Sequence, residues 1–289
     1  MSTDGLTLLD KPAGMTSFTA LSALKSRLGT RRIGHTGTLD KFATGLLVVL
    51  VGKYTRLADL FSGLDKCYRA TIVLGRRTDT LDPEGRVIEE GFVPDLAAIQ
   101  EAARKLTGTI DQIPPIYSAV HVQGRRAYRI ARSGGEPELE PRRVNIYRIE
   151  LVAYRAPKLD IEVECSKGTY VRALARDLGE AAGSCGYVQT LRRTRVGPFA
   201  VEEAVVPDSF SGVGALADSP QRLLRLDGIT ALTVKDKSMS RVQKGQVLMD
   251  SCFTRAPKSN GLYALFDRRG NLLGMAFRDG GGYRYRMVL

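Results

Sequence analysis

Residues 46–51, Leu46-Leu47-Val48-Val49-Leu50-Val51, form an unbroken apolar run bounded by Gly45 and Gly52. Length and β-branched content predict a buried strand, so the chain is expected to fold around a sheet. Directly before it lies Gly34-His35-Thr36-Gly37-Thr38-Leu39-Asp40-Lys41-Phe42-Ala43-Thr44, a polar, glycine-punctuated loop with one carboxylate. A loop anchored on a core strand is held firmly yet stays reachable, which suits a catalytic group. Gly37 and Gly45 allow a sharp turn or a close approach to a ligand. From the residues alone Asp40 has two readings: a turn cap, the commonest role of Asp beside Gly and Thr, or a catalytic carboxylate.

The chain has 289 residues, enough for one large domain and a small one with a full core. Its 43 Lys and Arg against 31 Asp and Glu give a net charge of +12. That excess is the electrostatic footprint of a nucleic-acid binder. Membrane association is not expected, because no basic amphipathic helix is visible and the longest apolar run is too short to span a bilayer. The polar start Met1-Ser2-Thr3-Asp4-Gly5 lacks a leader's apolar segment, so a cytoplasmic protein is expected. Cys67, Cys165, Cys185 and Cys252 are scattered and His35 and His121 are the only histidines. That set predicts reduced cysteines and no metal site. Gly45 to Lys53 has the wrong glycine spacing for a phosphate loop, and Gly212-Val213-Gly214 has no strand before it for a dinucleotide site.

In order along the chain, Leu6 to Asp10 reads as a short strand. Thr16 or Ser17 then caps a helix carrying Leu21, Leu24 and Leu28. Cys67 to Gly75 reads as a strand, followed by a stretch from Arg76 to Gly85 dense in turn residues. Asp95 to Thr107 reads as an amphipathic helix with Leu96, Ile99, Ala103 and Leu106 on one face. From Gln112 to Arg132, prolines and aromatics interleave with Arg125, Arg126, Arg129 and Arg132, as a loop gripping RNA requires. Two strands are expected at Arg143–Tyr154 and Leu159–Cys165, then Thr169 as cap of a helix with Arg172 in its first turn. A cation there is disfavoured by the helix dipole and points to an anionic partner. Residues 207–228 are read as an interdomain connection. Short apolar stretches beyond Ile229, including Leu232-Thr233-Val234 and Gly245-Gln246-Val247-Leu248, suggest a small all-β barrel.

GHTGTLDKFATGLLVVLVGKYTRL resembles the catalytic signature of the TruB-type tRNA pseudouridine synthases, with Lys41 and Phe42 standing where that family usually has Pro and Leu. Leu9-Asp10-Lys11-Pro12-Ala13-Gly14-Met15, the Lys66-x-Tyr68-Arg69 run, Gln112-Ile113-Pro114-Pro115-Ile116-Tyr117-Ser118-Ala119, Ser166-Lys167-Gly168-Thr169-Tyr170-Val171-Arg172 and Leu191-Arg192-Arg193 are similar to further motifs of it. The resemblance implies an α+β fold with a mixed, mainly antiparallel sheet flanked by helices. It spans residues 1–228 with an RNA-gripping insertion at about 113–142, and a PUA-like RNA-binding barrel follows at 229–289. It further implies Asp40 as nucleophile, Arg172 as its ion-pair partner and Tyr68 stacked on the target base. Tyr170 would line the pocket, Leu191 would contact the base, Lys11 would build the floor, and Arg192, Arg193, Arg125, Arg126 and Arg129 would meet RNA. His35 either aids base flipping or packs beneath the loop. The implied reaction converts uridine 55 in the T-arm stem-loop of tRNA to pseudouridine, in a monomer needing no cofactor and no protein partner. A guide-RNA-directed synthase and a non-catalytic tRNA-binding or folding factor are the rival readings.

Overall fold

The computed structural model describes residues 3–118, 120–122, 124–135, 137–280 and 282–289, and the backbone alone at Arg132. Ala119 of the Gln112 motif and the Arg132 side chain therefore lie outside the described residues.

Chain order runs β1 (Gly5–Lys11), α1 (Ser17–Ala20), α2 (Ser22–Leu28), β2 (Ile33–His35), β3 (Thr44–Val51), α3 (Ala58–Ser62) and β4 (Lys66–Leu74). Then come β5 (Arg76–Thr78), β6 (Val87–Glu90), α4 (Leu96–Lys105), β7 (Gly108–Gln112), β8 (His121–Val122), β9 (Arg125–Arg126) and α5 (Ala127–Arg132). The chain continues through β10 (Arg142–Arg155), β11 (Lys158–Cys165), α6 (Val171–Ala181), β12 (Gly186–Val196), β13 (Phe199–Ala200) and α7 (Ser219–Leu224). It ends with β14 (Ile229–Thr233), α8 (Met239–Gln243), β15 (Gly261–Phe266), β16 (Leu272–Asp279) and β17 (Gly282–Val288).

The apolar run is β3, flanked by β1 and β12 in a sheet ordered β1-β3-β12-β4-β11-β10-β7. Every neighbouring pair in that order is antiparallel except β12 with β3. That parallel seam is two pairs long, Arg192 opposite Thr44 and Arg193 opposite Gly45. Both faces of β3 are covered, which its unbroken apolarity requires. On one face Leu47 and Val49 join Leu24, Ile99, Leu174 and Leu178 from the helices. On the other, Leu46, Val48 and Leu50 meet Phe61 of α3 and Phe266, Met275 and Met287 of the C-terminal strands.

Several expectations change in detail. Thr16 caps α1 as expected, its Oγ1 accepting from the Thr19 amide, but the helix breaks at Leu21 into two short pieces. Asp95 caps α4, yet Leu96 in its first turn is 45 % exposed while Ile99, Ala102 and Ala103 are buried. Thr169 does not cap α6; the Tyr170 amide is taken by the Gln112 side chain, and Thr169 bonds back to Ser166. Residues 207–228 are packed, not a loose connection: Phe210 and Leu216 lie in the first core, Leu223 and Leu226 in the second. The C-terminal strands form an open four-stranded sheet, β14-β15-β16-β17, with β14 parallel to β15. No closed barrel exists among the described residues, and 246–249 is irregular, its Val247 and Met249 pointing to solvent. The cysteines are unpaired, with Cys67 half-buried and the other three buried.

Candidate active site

The loop before β3 is fastened from below. Ser17 Oγ accepts from the Leu39 amide at 2.8 Å and donates to the Leu39 carbonyl at 3.1 Å. Gly14 N–H and Lys11 Nζ both donate to the Lys41 carbonyl. Leu39 and Ala43 are buried, so the loop is anchored on both sides of Asp40. Lys41 holds its place through this carbonyl; its side chain is exposed and pairs with Glu84 at 3.7 Å. Phe42 packs against the helical-side core.

Asp40 is not a turn cap. Among the described residues its carboxylate meets only Arg172: Nη2 donates to Oδ1 at 3.0 Å and Nε lies 2.9 Å from Oδ2, off line for a hydrogen bond. Arg172, 4 % exposed in the first turn of α6, also donates to Asp82 Oδ2 at 3.1 Å and to the carbonyls of Thr80 and Tyr117. The dipole-disfavoured cation thus has two carboxylates as partners. Burial raises the Asp40 carboxyl above its ordinary value; Arg172 opposes this, while Asp82 and Glu84 add to it.

Asp82 was not a sequence candidate. It sits in the turn-dense stretch, buried at 5 % exposure, and accepts from Thr80 Oγ1 and the Glu84 amide. The one signal for it was an acidic residue beside Thr and Pro, which reads as a turn former.

Tyr68 projects from β4 into the helical-side core at 9 % exposure, opposite Arg193 on β12; burial raises its hydroxyl pKa and Arg193 opposes this. Leu191 on β12 is buried at 7 % and lines an adjoining cleft of about 990 Å³ together with Gly14, Phe42, Arg69, Glu84 and Arg192. Asp40, Arg172 and Tyr68 do not line that cleft. Tyr170 is half-buried just before α6, and burial raises its pKa while nearby Ser118, Arg142 and Arg172 oppose this. His35 is half-buried on β2 with no partner at Nδ1; burial, then Arg193, holds its pKa down, so it is neutral.

The two β12 arginines expected to meet RNA are both engaged with the protein itself. Arg192 forks onto Asp10 at 3.0 and 2.7 Å and remains at the cleft wall. Arg193 is 3 % exposed and spends its guanidinium on the carbonyls of Leu46, Gly37 and Thr38. Its backbone presses on Gly45, whose φ is +108° and where a Cβ would lie less than 3.0 Å from three Arg193 backbone atoms. Lys11 is fully buried and donates to the carbonyls of Pro12 and Met15. Arg125, Arg126 and Arg129 are exposed on the insertion, apart from the Asp40 cluster. The root of that insertion is gripped by α6, Arg172 holding the Tyr117 carbonyl and Arg176 the Ile113 carbonyl. Among the described residues no group of His, Cys, Asp and Glu is arranged to hold a metal. No helix is long and apolar enough to cross a membrane.

Residues 25–171 match the family model of the TruB family pseudouridylate synthase N-terminal domain, and 172–219 that of the tRNA pseudouridylate synthase B C-terminal domain. The tRNA pseudouridine synthase B of Mycobacterium bovis is 39 % identical over 99 % of this chain and 95 % of its own length. That of Syntrophobacter fumaroxidans is 45 % identical over 85 % of this chain and 83 % of its own. In fold the chain is similar to one in the archaeal box H/ACA sRNP Nop10-Cbf5 complex, with a TM-score of 0.69 at 22 % identity, covering 99 % of this chain and 86 % of that one. With family models over more than half its length and such relatives nearly end to end, the chain belongs to the TruB family of pseudouridylate synthases.

Proposed function

We propose that this enzyme isomerises the T-loop uridine 55 of tRNA to pseudouridine, with Asp40 as nucleophile. The relatives are named tRNA pseudouridine synthase B, which supports tRNA as substrate. The observation that carries the residue assignment is the Asp40–Arg172 pair, in which the loop's one carboxylate faces a guanidinium and no backbone amide. A nucleophile must be ionised to act. Arg172 favours that form against the opposing effect of burial. The reaction breaks the N-glycosidic bond, turns the base and rejoins it through carbon. Tyr68 offers a flat partner for a flipped base, and the family resemblance assigns base contact to Leu191 and the pocket lining to Tyr170. The exposed arginines of the insertion support a grip on the T-arm, and residues 229–289 supply a second RNA surface. The enzyme acts as a cytoplasmic monomer without cofactor or protein partner.

The test is pseudouridine mapping of unmodified tRNA transcript incubated with wild-type protein or Asp40→Ala. Conversion in the T-loop by wild type alone is expected. Conversion by both would remove Asp40 from its role. No conversion by either, with tRNA still bound, would favour a guide-RNA-directed enzyme or a binding factor.

A further inference from the structure

Three buried cations of this site, two of them beside Tyr68 on β4 and β12, have no carboxylate within ion-pair distance among the described residues. Lys11, Arg193 and Lys66 are 0 %, 3 % and 8 % exposed. Among the described residues, none of their nitrogens has an acidic oxygen within 4.0 Å. Each is solvated by main-chain carbonyls instead, Lys66 by those of Ser62, at 2.9 Å, and Leu64. Asp40 attracts Lys11 at longer range but already faces Arg172.

A neutral donor such as Gln could tie the same carbonyls. Burying a charge that lacks a counter-charge is costly, so hydrogen bonding explains the ties and not the charge. Placement supplies a target for that charge. Lys66 and Tyr68 are two residues apart on β4 and share one face of the sheet. Arg193 is the cross-strand partner of Tyr68 on β12, and its charge acts on the tyrosine hydroxyl.

We propose that Lys66 and Arg193, together with Lys11, form an electropositive basin that stabilises the uracil anion released when the glycosidic bond breaks. This rests on the synthase reading above. An Asp40 oxygen bonds to C1′ as the C1′–N1 bond breaks, and the bonding pair stays on the base as a uracil anion. After the base turns, C5 bonds to C1′ and the carboxylate is released. The proton lost from C5 is matched by the one gained at N1, so the step balances without a redox partner. Negative charge therefore exists on the base only between the two bonds. Fixed cations in a water-poor site act most strongly on charge that appears at that stage.

The test compares single-turnover rates on T-arm RNA carrying uridine or 5-fluorouridine at the target, for wild type, Lys66→Gln, Lys66→Arg and Arg193→Gln. Fluorine withdraws electrons and makes the base a better anion, so the fluorinated base needs the cations less. Lys66→Gln is expected to slow loss of uridine by about 10- to 100-fold and loss of 5-fluorouridine clearly less, with RNA affinity unchanged. Lys66→Arg, which keeps the charge, should retain most of the rate. Arg193→Gln should show the same difference between bases, which keeps the test decisive if a Lys66 variant does not fold. Equal slowing on both bases in the folded variants, or full rate in Lys66→Gln, overturns the proposal. A wild type that consumes neither RNA overturns the synthase reading instead, and is told apart because the variants are then no slower than it.

Discussion

Arg172 is the side chain on which two segments of the site converge, since one guanidinium spans Asp40 and Asp82. Removing the Asp82 charge should let Arg172 swing away from its pairing geometry. Asp82→Asn is expected to lower kcat roughly 10- to 100-fold, the scale set by ångström-level misplacement of a reacting group. KM for tRNA should barely change, and steady-state kinetics on transcript checks both. Lys11 and Lys66 give a second residue-scale prediction. Burial pulls each ammonium from 10.5 to about 8. Asp40 and Glu84 pull Lys11 back up and Arg193 pushes it down, while around Lys66 Cys165 and Asp65 oppose Arg193 and Lys167. Between those pH values the unfolded chain holds more protons than the folded one, so these two groups make stability rise with pH. Catalysis should fall as the same window is entered, because the basin discharges. Melting temperature and single-turnover rate measured at pH 7.5 and about 9.5 should move in opposite directions, and in Lys66→Gln both slopes should flatten. Asp40, Tyr68 and Arg172 were legible because each sits in a motif of fixed residue types. Arg193 was not legible in its orientation. Arg193 turns inward by strand alternation with buried Leu191, and the register shift before Arg195 breaks that alternation for the next arginine, which a run of arginines does not encode.

At the scale of elements, β3 was readable from its apolar run, while what flanks it was less so. The break at Leu21 and the packed 207–228 segment follow from tertiary contacts that local pattern does not carry. The expected strand at 245–248 failed because short apolar runs with turn residues beside them fit a loop equally well. Gly45 is the point where local and tertiary demands coincide, since its positive φ and the Arg193 backbone both exclude a side chain. Gly45→Ala should cost roughly 2–4 kcal/mol from strain and overpacking together. Chemical denaturation of the purified variant reads this directly, and a loss below about 1 kcal/mol would show that the seam can relax.

For the whole molecule, charge pointed to a nucleic-acid binder, and the sheet with its helical layer is what the family resemblance implied. The open C-terminal sheet did not, because four short strands are compatible with closure or with docking on a neighbour. Here they dock: Phe266, Met275 and Met287 share a core with Leu46, Val48 and Leu50, and Arg286 pairs with Asp59. Ending the chain at residue 228 would strip that face of β3. The truncated protein is expected to melt at lower temperature and to aggregate, while the full chain unfolds in one cooperative step. Calorimetry of both would show it, and two separate transitions in the full chain would contradict it.

The two-pair seam between β3 and β12 also bears on how the enzyme comes into being at the ribosome. Its partners, Thr44 with Arg192 and Gly45 with Arg193, are separated by most of the catalytic sequence. Contacts of such separation form late, since a long loop must close before they reward it. A nascent chain therefore carries Asp40 long before the strand that braces its loop has been synthesised. On the proposed role of Asp40, the carboxylate gains its working surroundings only as β12 arrives, so an unfinished polypeptide is expected to be inert toward the tRNAs that crowd the machine producing it.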